Sequence, residues 1–270
     1  MLLTLDVGNT QTVIGLYESV ESDAAPITWR IRTNKAAAVD DIRAKLLPLF
    51  TLANIDPASV DAAILASVVP ALTDAWRSAI RSIWGIEAMI CTAEVAQKSG
   101  LFKASYANPH EIGQDRIADA VAARALFGAP VMVVDFGTAT NIEAIDRSGA
   151  FVGGVIAPGL KTGADALFSH ATKLAATELV APAHIIGGNT EEAIQSGIIY
   201  GEAFRADALI RGMVAELGEK PRGEGGACSI VATGGFAELV SQYSSIITDV
   251  EPNLTLIGLR LVAQNREEEG

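Results

Sequence analysis

Twice along this chain an apolar run stops on an aspartate, turns through glycine and resumes as a second strand-like run. Leu2-Leu3-Thr4-Leu5 ends at Asp6, passes Gly8 and continues as Thr12-Val13-Ile14-Gly15-Leu16-Tyr17. Val131-Met132-Val133-Val134 ends at Asp135, passes Gly137 and continues through Asn141-Ile142-Glu143-Ala144-Ile145. Short apolar runs bounded by turn residues read as buried strands. The pattern therefore predicts strands at 2–7, 12–18 and 26–32 in the first half, and at 131–135, 138–146 and 150–157 in the second. Helical spacing follows at 39–53, where Val39, Ile42, Leu46, Leu47 and Phe50 share a face. Residues 60–69 form a strand candidate, Pro70 opens a helix to about Trp84, and 86–92 reads as another strand. In the second half helices are expected near 159–170 and 190–216. A strand at Ser229–Ala232 leads into Thr233-Gly234-Gly235, and a short helix, a strand at 246–249 and a helix at 253–265 complete the pattern. The tail, 266–270, reads as frayed.

Asp6 and Asp135 are 129 positions apart, close to half of the 270 residues. Three antiparallel strands followed by alternating helices and strands, seen twice, predict an α/β protein of two similar domains, 1–116 and 117–265. Where the halves meet, Asn108 suits a helix cap, Pro109 the first helical position and Glu111 the third, so a helix is expected to start there. Ile117, Val121 and Leu126 give it an apolar face, and Asp115 and Arg116 fall in its early turns.

Composition narrows the function. At 50% hydrophobic residues the chain can bury a large core. Its 20 basic against 32 acidic residues leave a net charge of −12, which argues against a nucleic-acid partner, because phosphate neutralisation needs clustered Lys and Arg. The uncharged stretch Ser148 to Leu160 runs only 13 residues and is broken by glycines, too short to span a bilayer. No membrane partner is expected. Cys91 and Cys228 are too few and too far apart for a disulfide framework or zinc site, and with no basic leader segment the expected location is the cytoplasm.

For Asp6-Val7-Gly8-Asn9-Thr10 the simple reading is a hairpin turn, since Gly and Asn tolerate positive φ. The functional reading is a phosphate loop, in which glycine admits an anion to the backbone, amides and Thr hydroxyls donate, and a carboxylate holds metal. One copy alone favours the hairpin; two copies at matching places favour the phosphate site, as opposing walls of a cleft. GxxxxGK[ST] and strand-linked GxGxxG motifs are missing. His110, His170 and His184 share no metal-like spacing.

These motifs together resemble the type III pantothenate kinases of bacterial coenzyme A synthesis. LDVGNTQTVIGLY is similar to the family's first phosphate motif, NPHEIGQDR to its Asp-Arg motif and VVDFGTAT to its second phosphate motif. GGVIAPGL, GNTEEAIQSGIIYG, ATGG and PNLTLIGLRL follow in the family's order and spacing, so the likeness covers nearly the whole chain. It implies two ribonuclease-H-like domains of the actin-like ATPase superfamily with ATP in an interdomain cleft. It implies that Asp6, Val7, Gly8, Asn9, Thr10, Gln11, Thr12 and Val13 hold phosphates and Mg²⁺, that Thr138 also touches ATP, and that Asp135 binds K⁺ or NH₄⁺. Gly113, Gln114, Asp115 and Arg116 would grip pantothenate with Tyr106 beside them, and Asp115 would accept the proton. Thr190 would reach the substrate across a homodimer interface.

The chemistry of these residue types agrees. Phosphoryl transfer asks for positioning, charge neutralisation and one carboxylate to take the hydroxyl proton, a task for which Asp115 needs no raised pKa. Arg116 suits a substrate carboxylate. Read alone, the pair is equally an ordinary helix start with an exposed Asp and Arg. From Thr190 a long helix carries Ile194, Ile198, Ile199, Leu209 and Val214, and Gly197 and Gly201, four apart, permit close approach of another backbone. The chain departs from the family at Gln11, Asn141, Gly188 and Asp119. The last adds a carboxylate one helical turn after Asp115, with consequences for its proton affinity or for cation binding. Two other functions compete: a non-enzymatic relative acting as an accessory regulator of transcription, and a kinase for another sugar or small acid.

Overall fold

The computed structural model describes residues 1–170 and 177–265; the expected frayed tail, 266–270, lies outside them. The chain divides into two compact units. The first holds residues 1–103, 107–122 and the chain from Leu254 onward; the second holds 104–106 and 123–253.

In the first unit β1 (Leu2–Val7), β2 (Gln11–Tyr17) and β3 (Ile27–Arg32) form an antiparallel meander. Helix α1 (Val39–Leu52) then leads to β4 (Ala62–Ser67), and α2 (Pro70–Trp84) to the two-residue β5 (Met89–Ile90). Both β4 and β5 run parallel to β1, giving the order β3-β2-β1-β4-β5. Pro70 opens α2, and Gly85, at φ 70°, closes it in the left-handed region. Leu2, Leu3 and Leu5 are all at most 1% exposed, so both faces of β1 are covered. Ile42, Leu46 and Phe50 of α1 pack on this sheet, with the Phe50 ring 5.6 Å from both Trp29 and Trp84. The short helices α3 (Ala93–Lys98) and α4 (Gln114–Phe127) follow.

The second unit repeats the plan. β6 (Val131–Phe136), β7 (Ala139–Ile145) and β8 (Phe151–Pro158) form the meander, and α5 (Leu160–His170) and α6 (Thr190–Glu216) precede β9 (Ser229–Thr233). Helix α7 (Ala237–Ser241) and the two-residue β10 (Asp249–Val250) complete a sheet of order β8-β7-β6-β9-β10, the same topology as the first. Ile199, Ala203 and Ile210 of α6 cover Met132, Val134 and Phe136 of β6.

Three expectations are corrected. The helix predicted from Asn108 begins at Gln114: Asn108 instead caps a single 3-10 turn, Pro109–Glu111, and Ile112 is extended at ψ 125°. The strands expected at 86–92 and 246–249 shrink to two residues each, because pairing with a parallel neighbour, and not apolar content, limits them. The last helix, α8 (Leu254–Gln264), placed by sequence in the second domain, packs on β1 and β4 of the first unit. Glycine permits that approach: a Cβ at Gly258 would overlap the Ala118 carbonyl of α4, and one at Gly15 would lie 2.9 Å from Leu256 Cδ1. Arg260, 5% exposed, anchors α8 by donating to the Val20 carbonyl at 3.1 Å and to Asp23 Oδ1 at 2.9 Å. Among the described residues no helix is long and apolar enough to cross a membrane.

Candidate functional site

Asp6 occupies the carboxyl end of β1, opposite Val13 on β2 and Ala66 on β4. The hairpin closes when the Gly8 amide donates to the Gln11 carbonyl at 3.0 Å. A Cβ at residue 8 would lie 2.8 Å from that same oxygen, so glycine is required for the tight turn. Asn9, Thr10 and Gln11 are exposed. From the end of β3, Thr33 secures the turn: its hydroxyl donates to the Gly8 carbonyl at 2.8 Å and its amide to the Thr10 carbonyl at 3.0 Å. With those two acceptors satisfied, the turn can offer donors to an anion. Thr12 Oγ1 lies 3.0 Å from Thr33 Oγ1, and Lys35 Nζ donates to Asn9 Oδ1 at 2.9 Å.

The start of α4 belongs to the same end of the same sheet. Gln114 Oε1 accepts from the Ser67 amide at 2.8 Å, and Ser67 pairs with Val7 across the β1–β4 ladder. Asp115 and Arg116 therefore stand in the unit that carries the Asp6 turn, outside the carboxyl ends of two adjacent parallel strands, where α/β sheets bind ligands. Asp115 is partly buried, and burial raises its pKa above the ordinary carboxylate value. The Arg116 amide, donating to Asp115 Oδ1 at 2.8 Å, and the Arg116 charge oppose that rise without cancelling it. A Cβ at Gly113 would fall 2.5 Å from Asp115 Oδ1, so glycine clears the approach to this carboxylate. One helical turn on, Asp119 is 2% exposed and accepts from Thr255 Oγ1 of α8 at 2.7 Å. The buried Cys91 thiol has its pKa pushed up to about 12, by burial first and then by the charges of Asp115 and Asp119, so it is no nucleophile.

The second unit builds the matching turn. Asp135 is the penultimate residue of β6, opposite Asn141 of β7 and Thr233 of β9. The Thr138 carbonyl accepts from the Gly159 amide at 3.2 Å and from Thr162 Oγ1 at 2.6 Å, while Thr138 itself is exposed. Two glycines frame the Asp135 carboxylate. A Cβ at Gly137 would sit 3.3 Å from both of its oxygens, and one at Gly234, φ 91°, would overlap Oδ1. Gly234→Ala combines a left-handed backbone with that clash and should cost about 1–3 kcal/mol of stability from the backbone alone; urea denaturation of the variant measures it.

Tyr106 and Thr190 also belong to the second unit. Tyr106 stands edge-on to Phe151 with ring centroids 5.9 Å apart. Thr190, exposed, is the first residue of α6 behind the Asn189 cap, whose side chain accepts from the Glu192 amide at 3.0 Å. It lines a groove of about 630 Å³ between α5 and α6, walled by Leu160, Ala164 and Leu167 and by Ala193, Ile194 and Ile198. The apolar positions of α6 thus divide: Ile199 and Val214 enter the core, while Ile194 faces the groove. Gly197 and Gly201 line the groove too, and a Cβ at either would meet nothing within 4 Å. Glu202, 6% exposed, accepts from Thr140 Oγ1 at 2.5 Å and from Arg205 at 2.6 Å.

Ser67, Thr33, Lys35 and Thr255 were not singled out from the sequence. Their only signal there is a polar residue in or beside an apolar segment, which is too common to select them.

The profile of the family described as type III pantothenate kinase matches residues 2–214. A type III pantothenate kinase from Roseiflexus sp. (strain RS-1) is 42% identical over 262 residues, 97% of this chain and 98% of that protein. One from Desulfosudis oleivorans is 39% identical over 270 residues, 99% of this chain and all of that one. Among solved structures, a Baf family transcriptional activator from Campylobacter jejuni superposes with a TM-score of 0.56 at 16% identity, covering 97% of each chain. The activator of 2-hydroxyisocaproyl-CoA dehydratase from Clostridium difficile, with bound ADPNP, gives 0.56 at 11% identity over 98% of this chain and 94% of its own. These two likenesses bear on the fold alone, an α/β chain with two five-stranded sheets of the same strand order.

Proposed function

The chain belongs to the type III pantothenate kinase family, and from that premise we propose that it transfers the γ-phosphoryl group of ATP to the hydroxyl of pantothenate, giving 4'-phosphopantothenate for coenzyme A synthesis. The observation that supports this best is the hydrogen bond from the Ser67 amide to Gln114, which ties the start of α4 to the strand beside the Asp6 turn. A candidate proton acceptor and a candidate phosphate loop thereby share one rigid sheet end.

Asp115 takes the hydroxyl proton as the new O–P bond forms, and the bond to the ADP oxygen breaks. Burial raises its pKa, which makes it a stronger base than an exposed carboxylate. Arg116, with Gly113 and Gln114, holds pantothenate through its carboxylate, a match for a planar guanidinium. The turn from Asp6 to Val13 binds the phosphates. A single carboxylate in the first turn fits Mg²⁺, which takes one or two carboxylates and completes its shell from phosphate and water. Bound there, Mg²⁺ would neutralise phosphate charge. Turnover of ATP with pantothenate, compared with a panel of sugars and other hydroxy acids, tests the assignment; equal rates across the panel would overturn it.

Asp135 suits a monovalent cation. Its carboxylate is framed by two glycines in place of further acidic side chains, so the remaining ligands would be carbonyls, phosphate and water. Activity should rise with K⁺ or NH₄⁺ and stay low in Na⁺, and Asp135→Ala should lose the response. Equal rates in the three salts, or a variant that still responds to K⁺, would remove Asp135 from this role.

The active form is a homodimer in which Thr190 completes the pantothenate pocket of the neighbouring subunit. The open glycine positions on α6, the apolar groove beside them and the half-exposed Leu167 and Phe204 support a second copy at this face.

A further inference from the structure

The polar residues that follow β3 do more than close a loop. Four hydrogen bonds or hydroxyl contacts run between Thr33 or Lys35 and the Asp6 hairpin, spread over Gly8, Asn9, Thr10 and Thr12. Thr33 occupies the Gly8 and Thr10 carbonyls, the two acceptors that would otherwise repel an anion at the turn. Lys35 brings a positive charge to within 2.9 Å of the Asn9 side chain, at the exposed tip of that turn. The turn itself contributes only the negative charge of Asp6, in a chain whose net charge is −12. A polyphosphate arriving there meets donors but no cation from the hairpin.

We propose that Lys35 is a phosphate-binding residue of the ATP site, contacting the phosphates beside Asn9, and that Thr33 is the positioning residue that keeps the turn's carbonyls turned away from them. This rests on the assignment of the Asp6 turn to ATP. The ammonium is an exposed point charge on a flexible stem, so it can leave Asn9 Oδ1 for a phosphate oxygen without disturbing the fold. Losing one charge-assisted contact to a phosphate should weaken binding about tenfold or more.

Titration of the full-length protein with ATP and Mg²⁺, followed by calorimetry, tests this without turnover. Lys35→Ala should raise the Kd for ATP about tenfold, Lys35→Glu should raise it further, and Lys35→Arg should stay near wild type. Thermal melting of the unliganded variants should match wild type, and the KM for pantothenate should not move. Thr33→Val should also weaken ATP binding, and Thr33→Ser should restore it. Asp6→Ala is the control for the underlying assignment. If it leaves ATP affinity unchanged, the turn is not the phosphate loop. If Asp6→Ala weakens binding while Lys35→Ala and Lys35→Glu bind ATP as wild type does, the turn stands and the role of Lys35 is overturned.

Discussion

Asp115→Asn should abolish pantothenate phosphorylation and at the same time make the protein more stable at neutral pH. Removing a general base typically lowers the rate about 100- to 10,000-fold, and the amide keeps the size and hydrogen-bonding shape of the carboxylate, so ATP affinity should change little. The stability gain follows from the direction of the pKa shift. Burial raises the Asp115 pKa in the folded chain, so the folded state holds this proton more tightly than the unfolded one. The corresponding stabilisation is complete below the ordinary carboxylate value and is lost as pH rises through the raised value. At pH 7, above the ordinary carboxylate value, the raised pKa therefore costs stability that Asn recovers, about 2–4 °C in melting temperature for each kcal/mol. The difference should vanish in acid, where the wild-type group is protonated. In the wild type, the acidic limb of the kcat profile should follow the same raised pKa. Full activity in the variant would remove Asp115 from the proton-accepting role, and a lower melting temperature at pH 7 would contradict the burial argument.

A mixed dimer of two inactive variants should recover activity. If Thr190 serves the neighbouring pocket, a heterodimer of Asp115→Asn and Thr190→Trp holds one pocket with both substitutions and one with neither. The intact pocket should restore roughly half of the wild-type rate per heterodimer, against parents that are each reduced by about 100-fold or more. Placement of Thr190 on the first turn of α6, exposed and behind a satisfied Asn189 cap, means a bulky replacement there should not unfold the helix. The groove between α5 and α6 would offer a second copy an apolar surface with open glycine positions. The simpler alternative is that α6 packs only on its own sheet, which Ile199 and Val214 do. No recovery, despite demonstrated subunit exchange and two inactive parents, would assign Thr190 to the pocket of its own subunit or to none.

Much of the fold was legible in the residues because its signals are local. An apolar run bounded by Asp and Gly can only be a buried strand entering a tight turn, and two such hairpins about half a chain apart imply a duplicated sheet. Pro70, with its fixed φ, marked the start of α2, and the structure adds that Gly85 closes it in the left-handed region. The likeness of the DVGNT, GQDR and DFGTAT segments to one kinase family pointed to the site, and the geometry of the first unit brings two of them to one sheet end.

Only the tertiary structure decided the rest, because those properties depend on partners distant in sequence. Where α4 starts was set by the extended Ile112 and the reach of Gln114 to Ser67, 47 residues away, against a capping pattern that pointed to Asn108. The return of α8 to the first unit depends on close packing at Gly15 and Gly258 against Leu256 and Ala118, which helical periodicity cannot express. Asp115 and Asp119 look alike in the sequence, one helical turn apart. Burial raises the pKa of the first against the opposing charge of Arg116, and a hydroxyl on α8, Thr255, 136 residues away, engages the second. Hydrophobic period and turn chemistry specify which elements form; desolvation and long-range hydrogen bonds, which exist only once those elements are packed, specify what their polar residues can do.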